Sequence, residues 1–106
     1  MMANRIKFGI IGCGRIARRH AEHIRATGKL IAVCDTDLDK AVMLAEEYQV
    51  KCFASLEEML SSCKDIDVIS VCTPNGLHAI HSITALRDGR HVLCEKPMAL
   101  SVTDCA

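Results

Sequence analysis

The stretch KFGIIGCGRIA, residues 7–17, decides the fold of this chain. It begins with a short apolar run, residues 7–11, that is too short for a helix and typical of a buried parallel strand. Small residues follow, and a helical pattern then extends to residue 27, where Gly28 predicts its end. A strand, a glycine-rich turn and a helix in this order predict a loop that approaches a phosphate group closely.

The turn has the pattern GxGxxA, and each small residue has a mechanical role. Gly12 permits the tight turn, Gly14 lets a pyrophosphate approach the backbone, and Ala17 lets the helix pack against the strand. The helix start adds backbone N–H groups and a positive dipole end for the phosphates. The candidate cofactor-binding residues of the loop are Gly12, Cys13, Gly14, Arg15 and Ile16. Arg15 is interpreted either as a phosphate neighbour or as a solvated arginine of the first turn.

Asp35 lies roughly 20 residues further on, at the end of the second predicted strand. A carboxylate there accepts hydrogen bonds from ribose hydroxyls, each contributing about 1.5–3 kcal/mol. It repels a 2′-phosphate, and Thr36 supplies no compensating guanidinium group. Asp35 therefore favours NAD over NADP. The alternative is that Asp35 only caps the second helix.

Strands and helices alternate along the chain. Strands are predicted at residues 7–11, 30–34, 51–54, 68–72 and 92–94, and helices at 15–27, 37–48, 55–62 and 77–87. This alternation predicts an α/β fold, a doubly wound parallel sheet of strand order 3-2-1-4-5, as one Rossmann-like domain over residues 1–106. Strand five is expected at the sheet edge, where unpaired groups invite self-association. Residues 101–104 resemble the start of a further helix, so we expect the amino-terminal piece of a longer chain.

The fourth predicted helix carries large apolar residues at helical spacing. They are Leu77, Ile80, Ile83 and Leu86. His20 and His23, on the first helix, are interpreted as surface or packing residues because they lie away from the strand ends.

Composition excludes several classes of partner. Of 106 residues, 50% are hydrophobic and 25% charged, with 13 basic and 13 acidic residues, so the chain is not of the disordered class. A net charge of zero argues against nucleic acid and anionic membranes. Residues 68–86 carry no Asp, Glu, Lys or Arg, but Pro74 and Asn75 interrupt them, which indicates a strand followed by a helix.

The 7 cysteines form no CxxC pair and their number is odd, so neither a disulfide framework nor a metal site is predicted. We expect a cytoplasmic protein with small buried thiols. An alternative is a metal or redox cluster near the strand ends, formed by Cys13, Cys34, Cys72 and Cys94. Cys13 is the thiol expected to touch the cofactor, so its modification is expected to disturb binding.

Two further motifs follow the fourth and fifth strands. They are TPNGLH, residues 73–78, and EKP, residues 95–97. In an open parallel sheet, ligands lie beyond the carboxyl ends of the strands, so both motifs are expected to face the same crevice as the glycine loop. A lysine there, Lys96, is suited to give or take a proton beside a carbinol at the nicotinamide end.

Together, GxGxxA, the acid after strand two, TPNxxH and EKP resemble the Gfo/Idh/MocA oxidoreductases over essentially the whole chain. The resemblance implies hydride transfer between NAD and a hydroxyl of a sugar, inositol or sugar derivative, in a homo-oligomer. It implies Lys96 as the catalytic residue. It also implies that the cofactor is contacted by Thr73, Pro74, Asn75, His78, Glu95 and Lys96.

Members of that family have a second α/β domain that supplies the substrate pocket, and we expect these 106 residues to correspond to the cofactor-binding domain only. Because positioning supplies much of the rate, we expect this chain alone to bind NAD without turnover. A different class is a non-catalytic module that binds or senses NAD, and EKP argues against it because such a module needs no ammonium group there. A methyltransferase is a third alternative, and the GxGxxA spacing together with EKP argues against it.

Overall fold

A computed structural model describes residues 6–73, 75–94 and 99–101 of the chain. They form one six-stranded sheet of order β3-β2-β1-β4-β5-β6 with four helices. The elements are β1 Lys7–Ile11, α1 Arg15–Thr27, β2 Lys29–Cys34, α2 Leu38–Tyr48, β3 Lys51–Phe53, α3 Leu56–Ser62, β4 Val68–Val71, α4 Asn75–Arg87, β5 His91–Cys94 and β6 Ala99–Ser101.

The first five strands are parallel, which confirms the predicted order 3-2-1-4-5. β1 lies at the centre, and its last residue, Ile11, pairs with Cys34 of β2 and Val71 of β4. The three strands therefore end at one level, and the loops that follow them meet at the carboxyl ends of the strands. The predicted site lies at this end of the sheet.

Successive residues of each strand face opposite sides of the sheet and build two cores. α1 and α2 cover one side, with buried residues that include Ile10, Ala17, Ala21, Val33 and Leu44. α3 and α4 cover the other side, with buried residues that include Ile11, Met59, Ile69, Val71 and Val92. The nearly continuous apolar strands are the consequence of burial on both faces.

The outermost strand on the β5 side of the sheet is not the predicted one. Ala99–Ser101 forms β6, which pairs antiparallel with β5 and places Ser101 opposite Val92. Only residues 95–98 separate the two strands, which is too short for a parallel crossover, so the added strand is antiparallel. It satisfies N–H and C=O groups that β5 would otherwise expose, so the prediction of β5 as the edge strand was wrong. The predicted self-association stays a prediction. Ser101 ends a strand, and the rest of the predicted helix start lies outside the described residues.

The buried face of α4 is formed by small side chains, and Leu86 packs half-buried against the same core. Ile80 and Ile83 are 58% and 48% exposed, whereas Ser82 and Ala85 are buried. The small side chains let the helix lie close to the sheet, where Ala85 joins the core formed with Met59 and Ile69. Helical spacing predicts a stripe, and close packing of small residues decides which stripe faces inward.

The uncharged segment, residues 68–86, forms β4 and most of α4, as predicted. Within the part of the chain that the structure describes, no helix is long and apolar enough to cross a membrane.

A buried arginine, Arg90, hydrogen-bonds several backbone carbonyls at the end of the sheet opposite the predicted site. The Arg90 guanidinium donates to the carbonyls of Ile66, Leu60 and Cys63 at 3.0–3.2 Å and pairs with the Asp88 carboxylate. Its side chain is only 6% exposed. These contacts join the chain before β5 to the turn between α3 and β4, so a charge in the interior has partners on several sides.

We expect Arg90→Met to lower the free energy of unfolding by about 2–3 kcal/mol, because buried carbonyls lose a charged donor. Urea unfolding followed by circular dichroism measures this loss. Arg87→Met, at an exposed position at the end of α4, is the matched control and should change stability by less than about 0.5 kcal/mol. Equal effects of the two substitutions would contradict the assigned role of Arg90.

Candidate functional site

The glycine loop after β1 is held close to the ends of both neighbouring strands. Gly12 has φ of +93°, and a Cβ added to it would lie 2.8 Å from the Cys72 carbonyl and 2.9 Å from the Thr73 methyl. The Gly12 N–H also donates to the Cys34 carbonyl at 2.9 Å. The fold itself therefore requires glycine here, both for the backbone conformation and for the space.

Gly14 differs from Gly12 because the protein itself does not require it. It adopts an extended conformation with φ of −83°, and a Cβ added to it would meet nothing within 4 Å. It precedes α1, whose start has neither a side-chain cap nor an acidic residue in the first turn. α3, by contrast, is capped by Ser55, whose hydroxyl accepts the Glu58 N–H at 3.2 Å. The start of α1 thus leaves open space and backbone N–H groups without a side-chain cap at the predicted phosphate position.

Asp35 joins the loop after β1 to the loop after β2. One carboxylate oxygen accepts the Cys13 N–H at 2.8 Å and the other accepts the Asp37 N–H at 2.8 Å. Asp37, not Asp35, is the N-cap residue of α2, so the alternative that Asp35 only caps this helix was wrong, although its carboxylate orients the cap residue. A carboxylate oxygen has two lone pairs, so each oxygen, with one N–H bond, keeps acceptor capacity for a ligand hydroxyl.

The Cys13 thiol is a structural group. It donates to the Cys34 carbonyl at 3.3 Å and the residue is only 8% exposed. Burial first, and the nearby Asp35 charge second, raise the pKa of Cys13 to about 12, and burial also raises the pKa of Cys34. Because the thiolate is the reactive form, the expected sensitivity of Cys13 to modification finds no support in this geometry. Among the described residues, no three His, Cys, Asp or Glu side chains are grouped as metal ligands.

A cavity of about 620 Å³ lies where the three loops meet. This volume is within the range of about 300–1,000 Å³ that is typical of small-molecule sites. It is lined by predicted site residues from the glycine loop and the start of α1, from the end of β2 and from the TPN motif. They are Gly12, Gly14, Ile16, Asp35 and Thr73. Cys13 lines a neighbouring depression of about 410 Å³ instead, together with Gly14.

Several predicted site residues cannot be placed in this cavity. Pro74, Glu95 and Lys96 lie outside the described residues, and so do the side chains of Arg15, Asn75 and His78. Their roles remain predictions.

The cavity also contains residues that the sequence did not single out. Lys40 and Glu57 belong to the first turns of α2 and α3, and His81 belongs to α4. The His81 ring lies with Nδ1 3.1 Å from the Thr73 hydroxyl. The available signal was its position four residues before Ala85, on the side of the helix that faces the sheet. His20, predicted as a surface or packing residue, is 1% exposed and hydrogen-bonds Ser70.

A parallel sheet with a glycine loop fastened to an acid at the end of the second strand defines a Rossmann-type domain. The chain matches the family described as "Oxidoreductase family, NAD-binding Rossmann fold" over residues 6–106. It belongs to this family, the Gfo/Idh/MocA oxidoreductases.

Named relatives and solved structures agree with this assignment. The chain is 40% identical over 105 residues to D-glucoside 3-dehydrogenase from Escherichia coli, covering 95% of this chain and 30% of that protein. Inositol 2-dehydrogenase 3 from Saccharopolyspora erythraea is 33% identical, with 94% and 30% covered. The WlbA dehydrogenase from Bordetella pertussis, crystallised with NADH and UDP-GlcNAcA, superimposes with a TM-score of 0.80 at 36% identity, covering 91% of this chain and 30% of that chain. The chain thus spans about 30% of the length of these proteins.

We expect Gly12→Ala to destabilise the chain by about 2 kcal/mol or more, because the new Cβ meets backbone atoms at a positive φ. Gly14→Ala is the matched control, since its Cβ enters open space at an ordinary φ, and its midpoint of urea unfolding should be nearly unchanged. Loss of stability in both variants would show that the loop requires both glycines for folding alone.

Proposed function

We propose that this chain binds NAD in the cavity between the glycine loop, Asp35 and Thr73. The observation that carries the proposal is the contrast between the two glycines. Gly12 is required by the neighbouring backbone, whereas Gly14 leaves open space at the uncapped start of α1. A pyrophosphate placed there would meet backbone N–H groups and the positive end of the helix dipole.

The adenosine end of NAD would lie beside Asp35, whose carboxylate is already oriented by two backbone N–H groups. Among the described residues that line the cavity, three carry carboxylates, Asp35, Asp37 and Glu57, and one is a lysine, Lys40. This balance disfavours a 2′-phosphate and supports NAD over NADP.

We propose further that the chain is the cofactor-binding part of a dehydrogenase for a hydroxyl of a sugar, inositol or sugar derivative. NAD supplies the hydride acceptor when it is bound. Family membership and the dehydrogenase names of the relatives support this class of reaction. By resemblance, Lys96 would hydrogen-bond the reacting hydroxyl and move its proton, and Glu95 would contact the nicotinamide ribose. The nicotinamide half would be lined by Thr73, Pro74, Asn75 and His78.

The proposal includes a cytoplasmic location and assembly into a homo-oligomer. The odd number and wide spacing of the cysteines support a reducing compartment, and the resemblance supports self-assembly. The competing class, an NAD-binding module without chemistry, differs in what it requires of Lys96.

We expect Asp35→Asn to weaken NADH binding roughly tenfold or more, because a neutral amide replaces a charged acceptor for the ribose hydroxyls. Isothermal titration calorimetry with NADH and NADPH measures the change, and the preference for NADH over NADPH should shrink. Asp39→Asn, exposed in the first turn of α2, is the matched control and should keep the affinity of the unmodified chain. Failure of the unmodified chain to bind NADH would refute the proposed function.

We expect these 106 residues to bind NADH yet to show negligible reduction of NAD with a panel of sugars and inositols, because they span only about 30% of the length of the dehydrogenases they resemble. In a longer enzyme that joins them to a substrate domain, Lys96→Ala should abolish turnover, because the proton of the reacting hydroxyl loses its acceptor, while NADH binding persists through the other contacts of the dinucleotide. Absorbance at the NADH band measures turnover. Unchanged turnover in Lys96→Ala would favour a non-catalytic role for this lysine.

A further inference from the structure

The side chain of Thr73 is fixed from two sides at the end of β4. Its methyl group lies against the glycine loop, 2.9 Å from where a Cβ of residue 12 would stand. Its hydroxyl lies 3.1 Å from Nδ1 of His81. Threonine is branched at Cβ, so these two contacts together select one χ1 rotamer.

His81 reaches this position because of how α4 packs. The helix turns Ser82 and Ala85 towards the sheet and leaves Ile80 and Ile83 exposed. His81 is half-buried and lines the same cavity as Gly12, Asp35 and Thr73. A hydrogen bond within a partly desolvated site holds a side chain more firmly than one in water.

We propose that His81 is a positioning residue for the dinucleotide site. It acts through Thr73, since it holds the hydroxyl away from the glycine loop and the methyl group towards it. Without the imidazole, Thr73 is free to exchange hydroxyl and methyl by rotation about χ1, and the cavity wall beside Gly12 changes shape and polarity. This inference rests on the proposed function, because it assigns His81 a task in binding the same NAD.

The inference requires that His81 and Thr73 act as one unit, which a double-mutant cycle tests. The single variants are His81→Leu and Thr73→Val, which remove the two polar partners and keep most of the volume. NADH affinity is measured by calorimetry for both single variants, for the double variant and for the unmodified chain. We expect His81→Leu to bind NADH about threefold to tenfold more weakly, because the Thr73 hydroxyl is then free to turn towards Gly12. Valine keeps a methyl group at that position, so the double variant should bind no more weakly than Thr73→Val alone.

Two further variants separate positioning from general packing. Asn has an amide atom where His has Nδ1, so His81→Asn should retain affinity within about twofold. His81→Gln carries its amide one bond further out, and it should bind as weakly as His81→Leu. His23→Leu, at an exposed position of α1, is the control and should leave NADH affinity unchanged.

The outcomes are distinct. Additive losses in the double variant would overturn the inference, because His81 would then act independently of Thr73. Equal affinities of His81→Asn and His81→Gln would also overturn it, and this pair decides the question if His81→Leu fails to fold. Absence of NADH binding by the unmodified chain would refute the proposed function itself, whereas normal binding with unaffected His81 variants would refute the positioning role alone.

Discussion

The carboxylate of Asp35 is the contact on which the arrangement of the site depends. It accepts the Cys13 N–H from the loop after β1 and the Asp37 N–H at the start of α2, both at 2.8 Å. Hydrogen bonds to a charged acceptor are stronger than neutral ones, so two loops that would otherwise be separate become one unit. The Gly12 N–H bond to the Cys34 carbonyl adds a second tie between the same strands.

A second constraint acts on the other side of β1. Gly12 lies so close to Cys72 and Thr73 that a single added carbon would collide with them, so the ends of β2, β1 and β4 are packed around one glycine. Thr73 then extends the contact to His81 on α4. The wall of the cavity is thus supported by a continuous set of contacts from β2 to α4.

The rest of the fold supports the loops at the carboxyl ends of the strands. Helices cover both faces of the sheet, and the opposite end is fastened by Arg90, whose guanidinium bonds carbonyls from α3 and the turn after it. β6 extends the sheet beyond β5. A chain of 106 residues buries only about 60–65% of its unfolded surface on folding, so its apolar core is modest. Buried polar contacts such as those of Arg90 therefore matter for the stability of the fold.

The sequence by itself determined the strand and helix order, the glycine loop, the acid at the end of β2 and the cap at Ser55, because each depends on residues close together in the chain. Only the tertiary structure decided which face of α4 is buried, that His81 meets Thr73, that β6 joins β5, and that Arg90 is an interior residue. Each of these depends on packing between segments that are distant in the chain. In α4, the small residue Ala85 is buried while Ile80 and Ile83 are exposed, and the spacing of apolar residues carries no information about such close packing.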